Sequence, residues 1–121
     1  MTRSERVRPR PDQPIEIQIM SERFLDIFEA RDISTTGAGI FVPCRFEGCA
    51  LKSPVDLVIT LPKGDPFLAK ARVAHRTKTE REFFGVEFMG LPQARVQQIA
   101  RYVERRLAEE AVRERSESLH R

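Results

Sequence analysis

Residues that build metal centres and catalytic sites are scarce in this chain. Its 121 residues include two cysteines and two histidines. Cys44 and Cys49 form a single C-x4-C pair, whereas a structural zinc site needs two such pairs or one pair with two closely spaced histidines. His75 and His120 are far apart, so no metal is expected. The thiols read as reduced, small apolar filler on a loop. Apolar runs are only a few residues long, too short for a membrane span. The basic N-terminus is not followed by an apolar signal core, so the expected location is the cytoplasm. Paired carboxylates and a glycine-rich phosphate loop are also missing. Nucleophilic catalysis would need a base beside Cys44 or a serine, and nothing places His75, the only plausible base, next to either. These absences point away from an enzyme and from a bound cofactor.

The charge is unevenly placed. Of 21 basic and 18 acidic residues, four arginines and one glutamate fall in residues 1–10, leaving 17 of each sign in the rest. The net charge of +3 therefore sits in an N-terminal arm attached to a neutral body. Such an arm reads either as a solvated tail or as half of an anion site. The length favours one domain.

Hydrophobic periodicity outlines a β-rich body. Residues 14–20 alternate apolar and polar, with Ile15, Ile17 and Ile19 facing in. Residues 24–33 form a less regular strand, with a bulge expected near Asp26–Glu29. Ser34–Gly39 is a turn cluster, and a short strand begins at Gly39. Pro43–Pro54 is a connection, followed by strands over 55–61, 67–77 and 83–89. Gly85 inside the last strand signals a bulge or a close approach. Pro92 then introduces a helix of about four to six turns with a stripe of Val96, Ile99, Val103 and Leu107. The stripe fades after Ala111. The expected organisation is a flexible arm at 1–12, a body at 13–111 and a frayed tail at 112–121. Six strands and one helix predict an all-β antiparallel barrel with a C-terminal helix that caps it.

Two segments carry the chemistry. Arg6-Val-Arg-Pro-Arg10 presents guanidiniums four residues apart on a chain that Pro9 and Pro11 keep from becoming helical. In an extended chain Arg6, Arg8 and Arg10 share a side, with Glu5 and Val7 facing away. Their planar forks match phosphate oxygens and the O6 and N7 acceptors of guanine. Asp32-Ile-Ser34-Thr-Thr-Gly37 supplies a carboxylate, a hydroxyl and a glycine at a strand end. The carboxylate suits the N1–H and N2–H edge of guanine, and Gly37 permits a turn with positive φ or close ligand approach. Alone, the second segment reads equally as a strand-end turn in which Asp32 or Ser34 bonds local backbone.

Together, R-x-x-x-R, 21 intervening residues, D-x-S-x-x-G and then Gly39-Ile-Phe-Val42 resemble the PilZ domain family. Val73-Ala-His-Arg76 and Gly85-Val-Glu-Phe88 before a helix fit the same pattern, and the resemblance extends over about residues 3–108. It implies a six-stranded PilZ-like barrel and a bacterial receptor for the second messenger cyclic di-GMP. By this resemblance Arg6 and Arg10 grip phosphates and a guanine edge. Asp32, Ser34 and Gly37 form the barrel half of the site, and Gly39 is the small residue opening the next strand. His75 falls where many members carry an aromatic that packs on a guanine, although a solvent-edge histidine is an equal reading. Arg8 and Arg76 are possible additional contacts. Glu5 occupies a position where an arginine often accompanies a stacked ligand dimer, so a single ligand, or weaker dimer binding with Arg3 or Arg8 compensating, is expected. Ordering of the arm by the dianion would signal to a separate downstream protein, in motility regulation or a related pathway. The alternatives are a PilZ-fold adaptor for motility or secretion that binds no nucleotide, and a barrel that binds single-stranded nucleic acid. The second fits poorly, because the arm has no aromatics for base stacking.

Overall fold

In a computed structural model, residues 5–20, 25–41, 51–77 and 83–119 are described. They form strands β1 (Glu16–Met20), β2 (Leu25–Ile33), β3 (Gly37–Phe41), β4 (Pro54–Thr60), β5 (Phe67–Thr77) and β6 (Phe83–Phe88), then helix α1 (Gln93–Leu119). The strands close into an antiparallel barrel in the order β1-β2-β3-β6-β5-β4. Inward positions follow the two-residue period. Ile17 and Ile19 of β1, Val55, Leu57 and Ile59 of β4, and Phe67, Ala69, Ala71 and Val73 of β5 are all buried. Closure removes the sheet edges that would otherwise need covering. Cys44, Cys49 and His120 lie outside the described residues, as does most of the connection before β4.

Among the described residues two bulges interrupt the alternation, and neither falls at Asp26–Glu29. In β2 the register shifts between Ala30 and Asp32. Ala30 and Ile33 are both buried although three residues apart, so the extra residue turns Arg31 and Asp32 outward together. In β5 the register shifts between Val73 and His75. The inward series 67, 69, 71, 73 would continue to 75, but the bulge sends His75 to the outer face, where it is exposed. The expected bulge was displaced because side-chain pattern alone does not reveal which residue the partner strand skips.

Helix α1 begins after Pro92, whose carbonyl accepts from the N–H groups of Arg95 and Val96. Ile99, Tyr102 and Val103 join the barrel core. The buried face corrects the expected stripe: Leu107 is 38% exposed, while Arg106 is 6% exposed. Arg106 is satisfied there, its Nε donating to the Arg8 carbonyl at 2.9 Å and its Nη2 to Glu110 at 2.6 Å. That second bond holds the Glu110 carboxyl below its usual range. The helix also continues to Leu119, through the segment expected to fray. Arg and Glu are strong helix formers, and Arg113 lies one turn beyond Glu110, so this stretch stays helical without an apolar stripe.

Candidate functional site

The N-terminal segment, expected as a flexible arm that the ligand would order, is fastened by an apolar residue. Val7 is buried in the core. Its N–H donates to the Ile33 carbonyl at 3.0 Å, and its carbonyl accepts from the Ile33 N–H at 2.9 Å. This single antiparallel bridge lays the basic segment along the end of β2. It carries Arg6 to Asp32, whose Oδ1 accepts from Arg6 Nη1 at 2.8 Å. Four residues on, the chain turns, and the Arg10 carbonyl accepts from the Gln13 N–H. Arg10 is chelated by Asp12, at 3.1 and 3.2 Å, and its Nη1 donates to Glu109 of α1 at 3.2 Å. The Asp12 charge, followed by the Glu109 hydrogen bond, raises the Arg10 pKa above its ordinary value. The two motif arginines therefore engage different carboxylates, but both line one cleft. This cleft, about 1180 Å³ in volume, lies between residues 6–12 and the second half of α1, and Arg8 and Arg106 also line it.

The aspartate segment is built differently from an open row of ligand contacts. Asp32 Oδ1 also accepts from the Gly39 N–H at 3.0 Å. The side chain of Ser34 does not share an open face with Asp32; Ser34 is fully buried. Its Oγ accepts from the N–H groups of Thr36 and Gly37 at 3.2 and 3.3 Å. Its own N–H donates to the Gly37 carbonyl at 2.8 Å. Ser34 thus holds the β2–β3 turn closed, the local role that short hydroxyl side chains commonly fill. Gly37 serves close approach, not positive φ: a Cβ there would stand against the Val86 carbonyl oxygen of β6, far inside van der Waals distance. The same Cβ would lie 3.5 Å from Arg6 Nη2, so the Arg6 guanidinium covers this glycine.

Cross-strand register brings four distant residues into one row. Asp32 of β2 pairs with Gly39 of β3, Gly39 with Gly85 of β6, and Gly85 with His75 of β5. The two side chains fold over the two glycines. A Cβ on Gly39 would be 2.9 Å from Asp32 Oδ1, and one on Gly85 would be 2.6 Å from His75 Nε2 and 2.8 Å from Nδ1. The result is a low shelf on the outer wall, with a carboxylate at one end and an imidazole at the other. Both ends are aimed outward by the bulges. Phe83, two residues before Gly85 on the same face of β6, meets His75 edge-on with ring centroids 6.0 Å apart.

Arg31, Phe83, Glu109 and Arg106 were not legible as site residues. Gly85 alone gave a signal, as a glycine within a strand. The backbone of Arg76 pairs with Phe84; its side chain is not among those described. Glu5 is exposed. Among the described residues there is no cluster of metal-binding side chains, and no helix is long and apolar enough to cross a membrane.

Substituting Gly85→Ala should test the shelf without unfolding the barrel. The displaced group is the end of an exposed, flexible side chain, so Tm should change by no more than about 3 °C. The aromatic NMR resonances of His75 and Phe83 should shift as their edge contact opens. Unmoved resonances would contradict this packing.

Comparison with known proteins gives a consistent picture. The PilZ domain family matches residues 2–105. No curated protein matches the sequence. Among solved structures, the Bacillus subtilis inhibitor of motility MotI/DgrA is similar at 18% identity and a TM-score of 0.75, over 89% of this chain and 51% of that one. The K. pneumonia MrkH–c-di-GMP complex is similar at 15% identity and 0.76, over 94% and 55%. This chain thus spans about half the length of those two proteins. The PilZ domain of Escherichia coli YcgR with c-di-GMP is similar at 13% identity and 0.72, over 96% and 97%.

Proposed function

The chain belongs to the PilZ domain family, and from that premise we propose that it is a receptor for cyclic di-GMP that signals through its N-terminal segment and α1. The carrying observation is the convergence of Arg6 on Asp32: the two motifs, 21 residues apart in sequence, are in direct contact through a 2.8 Å ion pair. The complexes of MrkH and of the YcgR PilZ domain contain c-di-GMP, and this chain shares their fold. In the proposed mechanism the ligand phosphates take the guanidiniums of Arg6 and Arg10 from their carboxylate partners. Asp32, released by Arg6, accepts from a guanine edge. His75 packs against the base, Gly37 and Gly39 leave room for it, and Ser34 preserves the turn. Arg8 and Arg76 are secondary candidates for phosphate contact. With glutamate at position 5, one ligand per chain is expected.

Signal output follows from the partner exchange. Arg10 gives its Nε/Nη2 fork to Asp12 and a single Nη1 bond to Glu109. A phosphate that takes the guanidinium from both carboxylates loosens the tie between residues 8–12 and α1, leaving there the bond from Arg106 to the Arg8 carbonyl. Val7 remains anchored. At Arg6 only the side chain changes partner, and the backbone change is confined to the segment beyond Val7 and to the helix surface that it covers, which a separate downstream protein would read. A ligand can shift such an equilibrium only by its differential affinity for the two states. Enzymatic activity is no part of this reading, and it requires no cofactor or metal.

Isothermal titration with cyclic di-GMP tests the proposal. Binding at micromolar or tighter Kd, with one ligand per chain and with linear di-GMP much weaker, is the expected result. No binding would leave a PilZ-fold adaptor. Glu109→Gln should tighten binding by about two- to fivefold, because the ion pair that competes for Arg10 is half-exposed and weak. Weaker binding by this variant would instead make Glu109 part of the bound state.

A further inference from the structure

Arg31 belongs to neither motif, yet the β2 bulge turns it outward beside Asp32. Its guanidinium carbon lies 4.2 Å from the centroid of the Phe83 ring. Its Nη1 also donates to Asp32 Oδ2 at 3.4 Å. Asp32 is therefore held at both oxygens, Oδ1 by Arg6 and the Gly39 N–H, Oδ2 by Arg31. Its side chain is only 14% exposed. A carboxylate this enclosed is costly to leave without a compensating charge. If Arg6 transfers to a phosphate, Arg31 is the cation that stays.

Resting on the receptor reading above, we infer that Arg31 is a positioning residue for base selection: it keeps the Asp32 carboxylate oriented toward a guanine edge after Arg6 has moved to the ligand, with Phe83 as its platform. The residue type suits the task. A guanidinium stacks flat on an aromatic face while its in-plane N–H groups remain available, which an ammonium does not reproduce. Guanine presents two donors, N1–H and the exocyclic amine, to the two oxygens of a carboxylate. Hypoxanthine presents N1–H alone. A carboxylate that rotates freely loses the two-point match more than the one-point match, so Arg31 governs the preference between them.

The test is titration of the unaltered chain, Arg31→Ala, Arg31→Lys and Phe83→Leu with cyclic di-GMP and with cyclic di-IMP, its hypoxanthine counterpart. Thermal melting of each unliganded variant checks that the barrel is intact. Arg31→Ala should weaken cyclic di-GMP binding by about tenfold and cyclic di-IMP binding by about threefold or less, narrowing the preference for guanine. Arg31→Lys and Phe83→Leu should narrow it in the same direction by smaller factors. Equal losses for both ligands would make Arg31 a general attraction for phosphate and overturn the inference; so would unchanged affinities. Failure of the unaltered chain to bind either ligand would overturn the receptor reading itself, and this inference with it.

Discussion

Replacing Arg6 and Arg10 together by alanine should reduce cyclic di-GMP affinity by at least two orders of magnitude while leaving the barrel folded. Each guanidinium is expected to make charge-assisted hydrogen bonds to the dianion, worth about 1.5–3 kcal/mol apiece. Losing two corresponds to roughly a hundredfold to ten-thousandfold in Kd. The barrel should survive because both side chains are about half-exposed (46%), and exposed ion pairs contribute little to stability. The Val7–Ile33 bridge and the core are untouched. Of the two single changes, Arg6→Ala should lower the melting temperature of the unliganded chain more, since it removes a cation from the enclosed carboxylate of Asp32. Titration calorimetry beside a thermal melt checks both halves of the expectation. A double variant that binds within threefold of the unaltered chain would remove the N-terminal arginines from the site.

Gly37→Ala should be the most destabilising of the small substitutions in the motif region. The group in the way of a Cβ is the Val86 backbone carbonyl, which is part of the β3–β6 ladder that pairs Gly37 with Glu87 and Ala38 with Val86. It cannot rotate aside as a side chain would. The added methyl must therefore separate β3 from β6 or twist the turn that Ser34 closes. Overpacking of this kind costs about 1–3 kcal/mol or more. For a domain of this size that lowers Tm by roughly 5–15 °C. The contrast with Gly85→Ala is the informative part: there the obstacle is the end of the exposed His75 side chain. A melt in which Gly37→Ala loses less than Gly85→Ala would show that the strand spacing gives way more easily than the imidazole.

The buried alternation of β1, β4 and β5, and the change to a helical period after Pro92, were legible in the sequence because inward positions in a closed barrel must be apolar. The elements most visible in the pattern were those whose burial is regular. The end of α1 was less visible, since Arg113, Glu114 and Arg115 sustain a helix without advertising a buried face. Arg106 was hidden for a related reason: arginine normally marks a solvated position, and its burial here depends on the Arg8 carbonyl and Glu110, 98 residues and four residues away.

The candidate site divides along the same line. By itself, the sequence determined which chemical groups are present and that R-x-x-x-R and D-x-S-x-x-G occur at a separation resembling the PilZ family. Residue types and spacing are local properties of the chain. Only the tertiary structure decided that Ser34 faces into its turn, that Val7 anchors the arm, and that Arg10 is held by Glu109. It likewise decided that Asp32, Gly39, Gly85 and His75 form one row with Arg31 and Phe83 beside it. That row depends on the pairing register of four strands and on two one-residue bulges. Each bulge reverses the face on which the following side chain emerges, and its position is chosen by the partner strand, not by the residues within the bulge.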